Sequence, residues 1–121
     1  MTIIRIAAVL GFLGVALGAF GAHALRERLA PAALQIWNTA VLYHLLHAVA
    51  LLSLGLYARA SGADVRTSAG LFTAGILIFS GSLYALALSG IKPLGAITPV
   101  GGLCLLAGWA WLAVTFSSRN A

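Results

Sequence analysis

The chain is 121 residues long, 62% hydrophobic and 7% charged, with a mean hydropathy of +1.06; soluble domains run about 45–50% apolar and about 25% charged. A chain this short has too little interior to hide such an apolar surplus, so an ordinary soluble fold is excluded and an integral membrane domain is expected. The net charge of +5 sits on basic residues scattered singly or in small groups between apolar runs, which suits membrane topology and not the clustered basic face of a nucleic-acid binder.

A spanning helix needs about 20 mainly apolar residues, and four runs supply them. The first helix is expected over about residues 4–25. Arg5 ahead of it and the small-x-small triplet Ala22-His23-Ala24 imitate a secretory signal. The run is long for a signal core and three more follow, so it is read as a retained helix. The second helix is expected over about 31–58, with Pro31 in the first turn, where a missing N–H costs nothing. The polar stretch Arg59 to Thr67 is a loop, and a third helix over about 68–89 stops at Gly90-Ile91-Lys92-Pro93. The fourth is expected over about 98–117, with Thr98 as N-cap and Pro99 as first helical residue. That leaves Leu94 to Ile97 as irregular chain near the membrane surface.

Short connections and four spans predict one all-α integral membrane domain over residues 1–121, a four-helix up-down-up-down bundle. Arg5, Arg59, Arg66 and Arg119 fall on one side and Arg26, Arg28 and Lys92 on the other. The bias is small and places both termini in the cytoplasm.

With no hydrophobic drive between helices in lipid, small residues carry the packing. Gly11, Gly14, Gly18 and Gly21 recur along one stripe of the first helix, with Gly14 and Gly18 as a small-xxx-small pair. Gly75, Ser82 and Ser89 share a heptad face of the third helix; Gly101, Cys104 and Gly108 do so on the fourth, and Cys104 is expected as a buried packing residue.

Polar side chains within spans are costly and are the candidates for function. The second helix carries Asn38, Thr39, Tyr43, His44 and His47, with the two histidines three residues apart on one face. The third carries Ser80, Ser82 and Tyr84; His23 ends the first and Thr98 begins the fourth. Nearly all lie in the half of the bilayer bordered by the first and third loops. The only acids, Glu27 and Asp64, are in loops, which excludes a carboxylate di-metal site and paired-carboxylate catalysis inside the bundle. Without an embedded acid the histidines are expected to be neutral and to point inward. Trp109 and Trp111 are expected to face lipid.

Five motifs occur in order: Gly-Ala-Phe-Gly-Ala-His-Ala (18–24), Tyr-His-Leu-Leu-His-Ala (43–48), Phe-Ser-Gly-Ser-Leu-Tyr (79–84), Thr-Pro-Val-Gly-Gly (98–102) and Leu-Ala-Gly-Trp-Ala (106–110). Together they resemble the YgdD-like family of small inner-membrane proteins, related to the eukaryotic transmembrane protein 256 group, over essentially the whole chain. The resemblance implies a four-span protein of the bacterial inner membrane and supplies no mechanism. Its motif positions fall here on Gly18, Gly21, His23, His47, Ser80, Gly81, Ser82, Tyr84, Thr98, Pro99 and Gly101.

The reading is a non-enzymatic membrane protein. Its cluster of His23, Tyr43, His44, His47, Ser80, Ser82, Tyr84 and Thr98 binds a small polar or lipid-headgroup ligand, or a partner protein. Helix packing is assigned to Gly11, Gly14, Gly18, Gly21, Gly81, Gly101 and Gly108. No cofactor, metal or nucleic acid is expected; the bilayer is the partner, with a second copy or another membrane protein as further ones. Three readings compete: a purely structural or assembly role, a small transporter or channel, and a haem or metal protein held by the histidines.

Overall fold

A computed structural model describes residues 2–119, with side chains to residue 116; the Arg119 side chain used in the charge count lies outside them. The four helices long and apolar enough to cross a membrane are α1 (Thr2–Leu25), α2 (Pro31–Ser61), α3 (Arg66–Ser89) and α4 (Thr98–Arg119). They form an antiparallel bundle. The two inner helices pack on each other, α1 lies against α2 and α4 against α3. The outer pair accordingly leaves most of its surface to lipid, with Phe12, Val15, Leu103 and Leu106 all exposed.

The helix ends follow from local chemistry. Ala30 before Pro31 is extended, at φ −58° and ψ 152°, because the proline ring crowds a helical conformation in the preceding residue. α2 and α3 both stop at a glycine in the left-handed region, Gly62 at φ 73° and Gly90 at φ 69°. Each donates its N–H 2.8 Å back to a carbonyl of the last turn, Ala58 O and Leu86 O.

Two corrections concern the start of α4. Lys92–Ala96 forms a short 3-10 helix where irregular chain was expected over Leu94 to Ile97, and Pro93 in its first turns fits the fixed φ such a turn needs. The α-helix begins at Thr98 itself, so Pro99 is its second residue and Thr98 is not a cap lying outside it.

A further feature is absent from the hydropathy pattern. α3 is α-helical over Arg66–Gly75, widens to a π turn over Ile76–Ser80 and returns to α over Gly81–Ser89. Its buried positions Ser68, Phe72, Ile76 and Ser80 are spaced by fours, a step that drifts around a pure α-helix of 3.6 residues per turn. One extra residue in a turn absorbs part of that drift and keeps both halves of α3 facing α2 and α4. A second π turn, Gly21–Leu25, ends α1.

The apolar core splits in two. The larger cluster, around Leu10, Leu51, Phe72, Ile76 and Leu105, draws on all four helices. The smaller one, Leu25, Trp37 and Ala87, lies toward the first and third loops. His44 joins the two, bonded to Leu10 O of the first and to Tyr84, which packs against the second.

Candidate functional site

Small residues set the helix separations that the polar side chains then span. A Cβ at Gly14 would lie 2.6 Å from Leu45 Cδ2, and one at Gly18 would lie 3.1 Å from Val41 Cγ1. At Gly21 it would enter the Trp37 ring, which bars any larger residue there. On α4, a Cβ at Gly101 would collide with the Phe79 backbone, 2.7 Å from its Cα, and one at Gly108 with the Phe72 ring at 2.7 Å. Gly11 and Gly81 must be removed from the packing set, since nothing lies within 4 Å of where their Cβ atoms would stand. Three residues turn a helix by about 300°, setting Gly11 about 60° off the face of Gly14. Gly75, on the small-residue face of the third helix, lies against Leu105, and Gly55 against Ile4 joins the set without having been assigned to it. Cys104 is half-buried rather than buried.

His44 and His47 are both buried on the inner face of α2. The His44 ring bridges three helices, with Nε2 2.7 Å from Leu10 O of α1 and Nδ1 2.9 Å from the Tyr84 hydroxyl of α3. A carbonyl only accepts, so Nε2 carries a proton; in the neutral ring Tyr84 then donates to Nδ1.

His47 is more tightly determined. Its Nδ1 lies 2.8 Å from Tyr43 O, one turn back along α2, and donates to it. Its Nε2 accepts from the Trp109 indole of α4 at 3.0 Å. An indole N–H only donates, so Nε2 has no proton and His47 is the neutral Nδ1–H tautomer. Phe72 and Trp109 pack edge-on to its ring, with centroids 5.4 and 5.9 Å away.

The hydroxyls work in the same way. Ser80 donates to Ala40 O of α2 at 2.7 Å. Ser82 donates to Phe79 O at 2.9 Å and lies 2.6 Å from the Thr98 hydroxyl. Since the one Ser82 proton is on Phe79 O, Thr98 is the donor between the two. Two members of this set were not picked out from sequence. Trp37, fully buried, donates its indole N–H to Leu17 O of α1 at 3.0 Å, and Ser68 donates to Gly108 O of α4 at 3.2 Å.

The expected cluster is therefore a ladder and not a single pocket, and it crosses the mid-plane, with Ser68 in the half expected to be apolar. His23 stands apart. It is exposed at the end of α1 and makes no hydrogen bond among the described residues, so a site shared by His23, Tyr84 and Thr98 is not formed. Tyr84 points to His44 and Thr98 to Ser82. Trp111 is half-exposed to lipid, whereas Trp109, equally exposed, is anchored to His47. Asn38 and Thr39 line an open groove near the first loop with Pro31 and Gln35.

Among the described residues no three His, Cys, Asp or Glu side chains come together. Inside the bundle, a metal or haem iron would have to take the Nε2 lone pair of His47 from Trp109 or the Nδ1 lone pair of His44 from Tyr84.

Four apolar helices stitched by side-chain-to-backbone bonds define an integral membrane bundle. The chain belongs to the family described as "Protein of unknown function (DUF423)", whose model matches residues 17–102, consistent with the family read from the five motifs. It is 44% identical to the UPF0382 membrane protein YwdK of Bacillus subtilis, over 92% of each chain. A UPF0382 membrane protein of Haemophilus influenzae is 41% identical over 97% of this chain and 95% of its own. One from Schizosaccharomyces pombe is 38% identical over 94% of this chain and 100% of its own. No solved structure matches.

Proposed function

We propose that the protein is a non-enzymatic membrane protein that acts from its lipid-facing surface, as a binding or assembly element for something embedded in the same bilayer. The observation that carries this is the pairing of its interior. Among the described residues no buried side-chain nitrogen or oxygen lacks a hydrogen-bond partner. A ligand, iron or transported solute received inside the bundle would have to break an existing bond in an environment where unpaired polar groups are expensive. The polar ladder is then internal structure, and the surface available for recognition is the apolar exterior of α1 and α4 together with the grooves between helices. A second copy or another membrane protein fits that surface. We place the chain in a bacterial inner membrane with cytoplasmic termini.

Purified protein in micelles is expected to show no Soret absorbance and less than stoichiometric metal, and vesicles containing it to leak ions and small solutes no faster than empty ones. A haem band that disappears in His47→Ala, or solute flux that disappears in His44→Ala, would overturn the reading.

A further inference from the structure

Tyr43 presents an unpaired polar group within the membrane-spanning region. The Tyr43 hydroxyl makes no hydrogen bond among the described residues, and its side chain is 40% exposed. Tyr43 lies about 18 Å along α2 from Pro31 at about 1.5 Å per residue, near the middle of a hydrocarbon layer about 30 Å thick. There is no water at that depth to satisfy a hydroxyl.

Tyr43 lines a groove of about 400 Å³ between α2, α3 and α4, together with His47, Phe79, Gly102, Leu106 and Trp109. Tyr43, Phe79 and Trp109 present aromatic rings beside the His47 imidazole, with Tyr43 and Phe79 tilted against each other at 4.8 Å between centroids. Gly102 has no side chain and keeps the wall next to Phe79 low. The Trp109 N–H is donated to His47 Nε2 and the His47 Nδ1–H to Tyr43 O, so the Tyr43 hydroxyl is the side-chain polar group left among the lining residues. None of the lining groups is charged.

Building on the lipid-facing reading above, we propose that this groove binds a neutral, lipid-soluble ring compound with a carbonyl oxygen, the chemistry of an isoprenoid quinone, with the carbonyl accepting from the Tyr43 hydroxyl. Three constraints select that class. The volume suits one substituted ring. The aromatic walls suit a planar face, in offset or tilted contact. The depth selects against phospholipid, whose ester oxygens and headgroups stay at the interface. A carbonyl also loses less than a hydroxyl on leaving water, since it gives up acceptor bonds only.

The test uses the full-length protein in lipid nanodiscs, titrated with a short-tailed benzoquinone while tryptophan fluorescence is followed. An alkylbenzene of matched tail serves as control. Saturable quenching by the quinone and none by the control is expected. Tyr43→Phe should weaken it roughly three- to tenfold, the range of one hydrogen bond, and Gly102→Leu should abolish it by filling the groove. Melting temperatures check that each variant is folded, and Leu106→Trp replaces Gly102→Leu if that variant is not. A photoreactive quinone should label the segments around Tyr43 and Trp109. Unsaturable quenching overturns the proposal, as does saturable quenching unchanged in both Tyr43→Phe and the filled groove. Efficient cross-linking of a Leu46→Cys variant between two copies also overturns it, because a second chain would then cover the groove. That last result would leave the lipid-facing reading standing, whereas haem or solute flux would remove that reading and this proposal with it.

Discussion

The side chains that matter in this bundle are those whose single atoms have no substitute. Tyr84→Phe removes one oxygen and leaves Nδ1 of His44 without a donor at membrane depth. The expected loss is about 0.6–1.7 kcal/mol, the range found for hydrogen bonds between membrane helices, read from reversible unfolding in micelles. Combined with His44→Phe in a double-mutant cycle, the two losses should overlap; strict additivity would show that the bond does not form. Glycines separate as sharply. Gly101→Ala drives a methyl into the Phe79 backbone, which cannot step aside as a flexible side chain can, and should cost about 1–3 kcal/mol. Gly11→Ala meets open space and should be neutral or stabilising by up to about 1 kcal/mol, since alanine is the better helix former. Equal effects at the two positions would mean that α1 and α4 are packed on other faces.

At the scale of elements, the wide turn of α3 makes an unusual prediction about deletions. A π turn is an α-helix with one residue too many. Deleting exposed Leu77 within it should restore a plain helix and keep the faces on either side in place. Deleting Ala85 from the regular helix should turn everything beyond it by about 100°, pulling Ala87 out of its core and the last turn out of register. Expression and melting temperature of the two variants compare them directly; equal damage would mean the wide turn is not a one-residue insertion. This turn was not legible in the sequence, because no residue type marks it. It arises from the demands of α2 and α4 on two faces of one helix. The spans themselves were legible, since hydropathy, Pro31, Gly62 and Gly90 act locally. His44 and His47 could be assigned to the interior from polarity alone. Their partners could not, because a tryptophan such as Trp109 has a lipid-compatible body that conceals where its one N–H is directed. Trp37 is concealed in the same way, although Gly21, facing it across the hairpin, is the space its ring requires.

For the whole molecule, the sequence places Arg5, Arg59, Arg66 and Arg119 at one end and Arg26, Arg28 and Lys92 at the other, with Arg66 held by Asp64 at 3.0 Å on the exposed surface. Such an exposed pair adds little stability, and its effect is to soften the positive charge of that end. Orientation therefore rests on a thin margin. A fluorescent protein fused after residue 121 should light up in the cytoplasm, and a periplasm-dependent phosphatase in the same position should be silent. Replacing Arg5 and Arg59 by Gln should mix the two orientations. If that double replacement leaves a single orientation, loop charge is not what sets it.

The histidine ladder also has an order in time. The hairpin of α1 and α2 leaves the ribosome first and can close its own bonds, from Trp37 to Leu17 O and from His44 to Leu10 O. The remaining lone pairs on His44 and His47 wait for Tyr84 and Trp109, which arrive only with the second hairpin. A chain stalled between the two leaves those lone pairs without donors at membrane depth, where an unpaired polar group is expensive. Completion of the second hairpin supplies both donors at once.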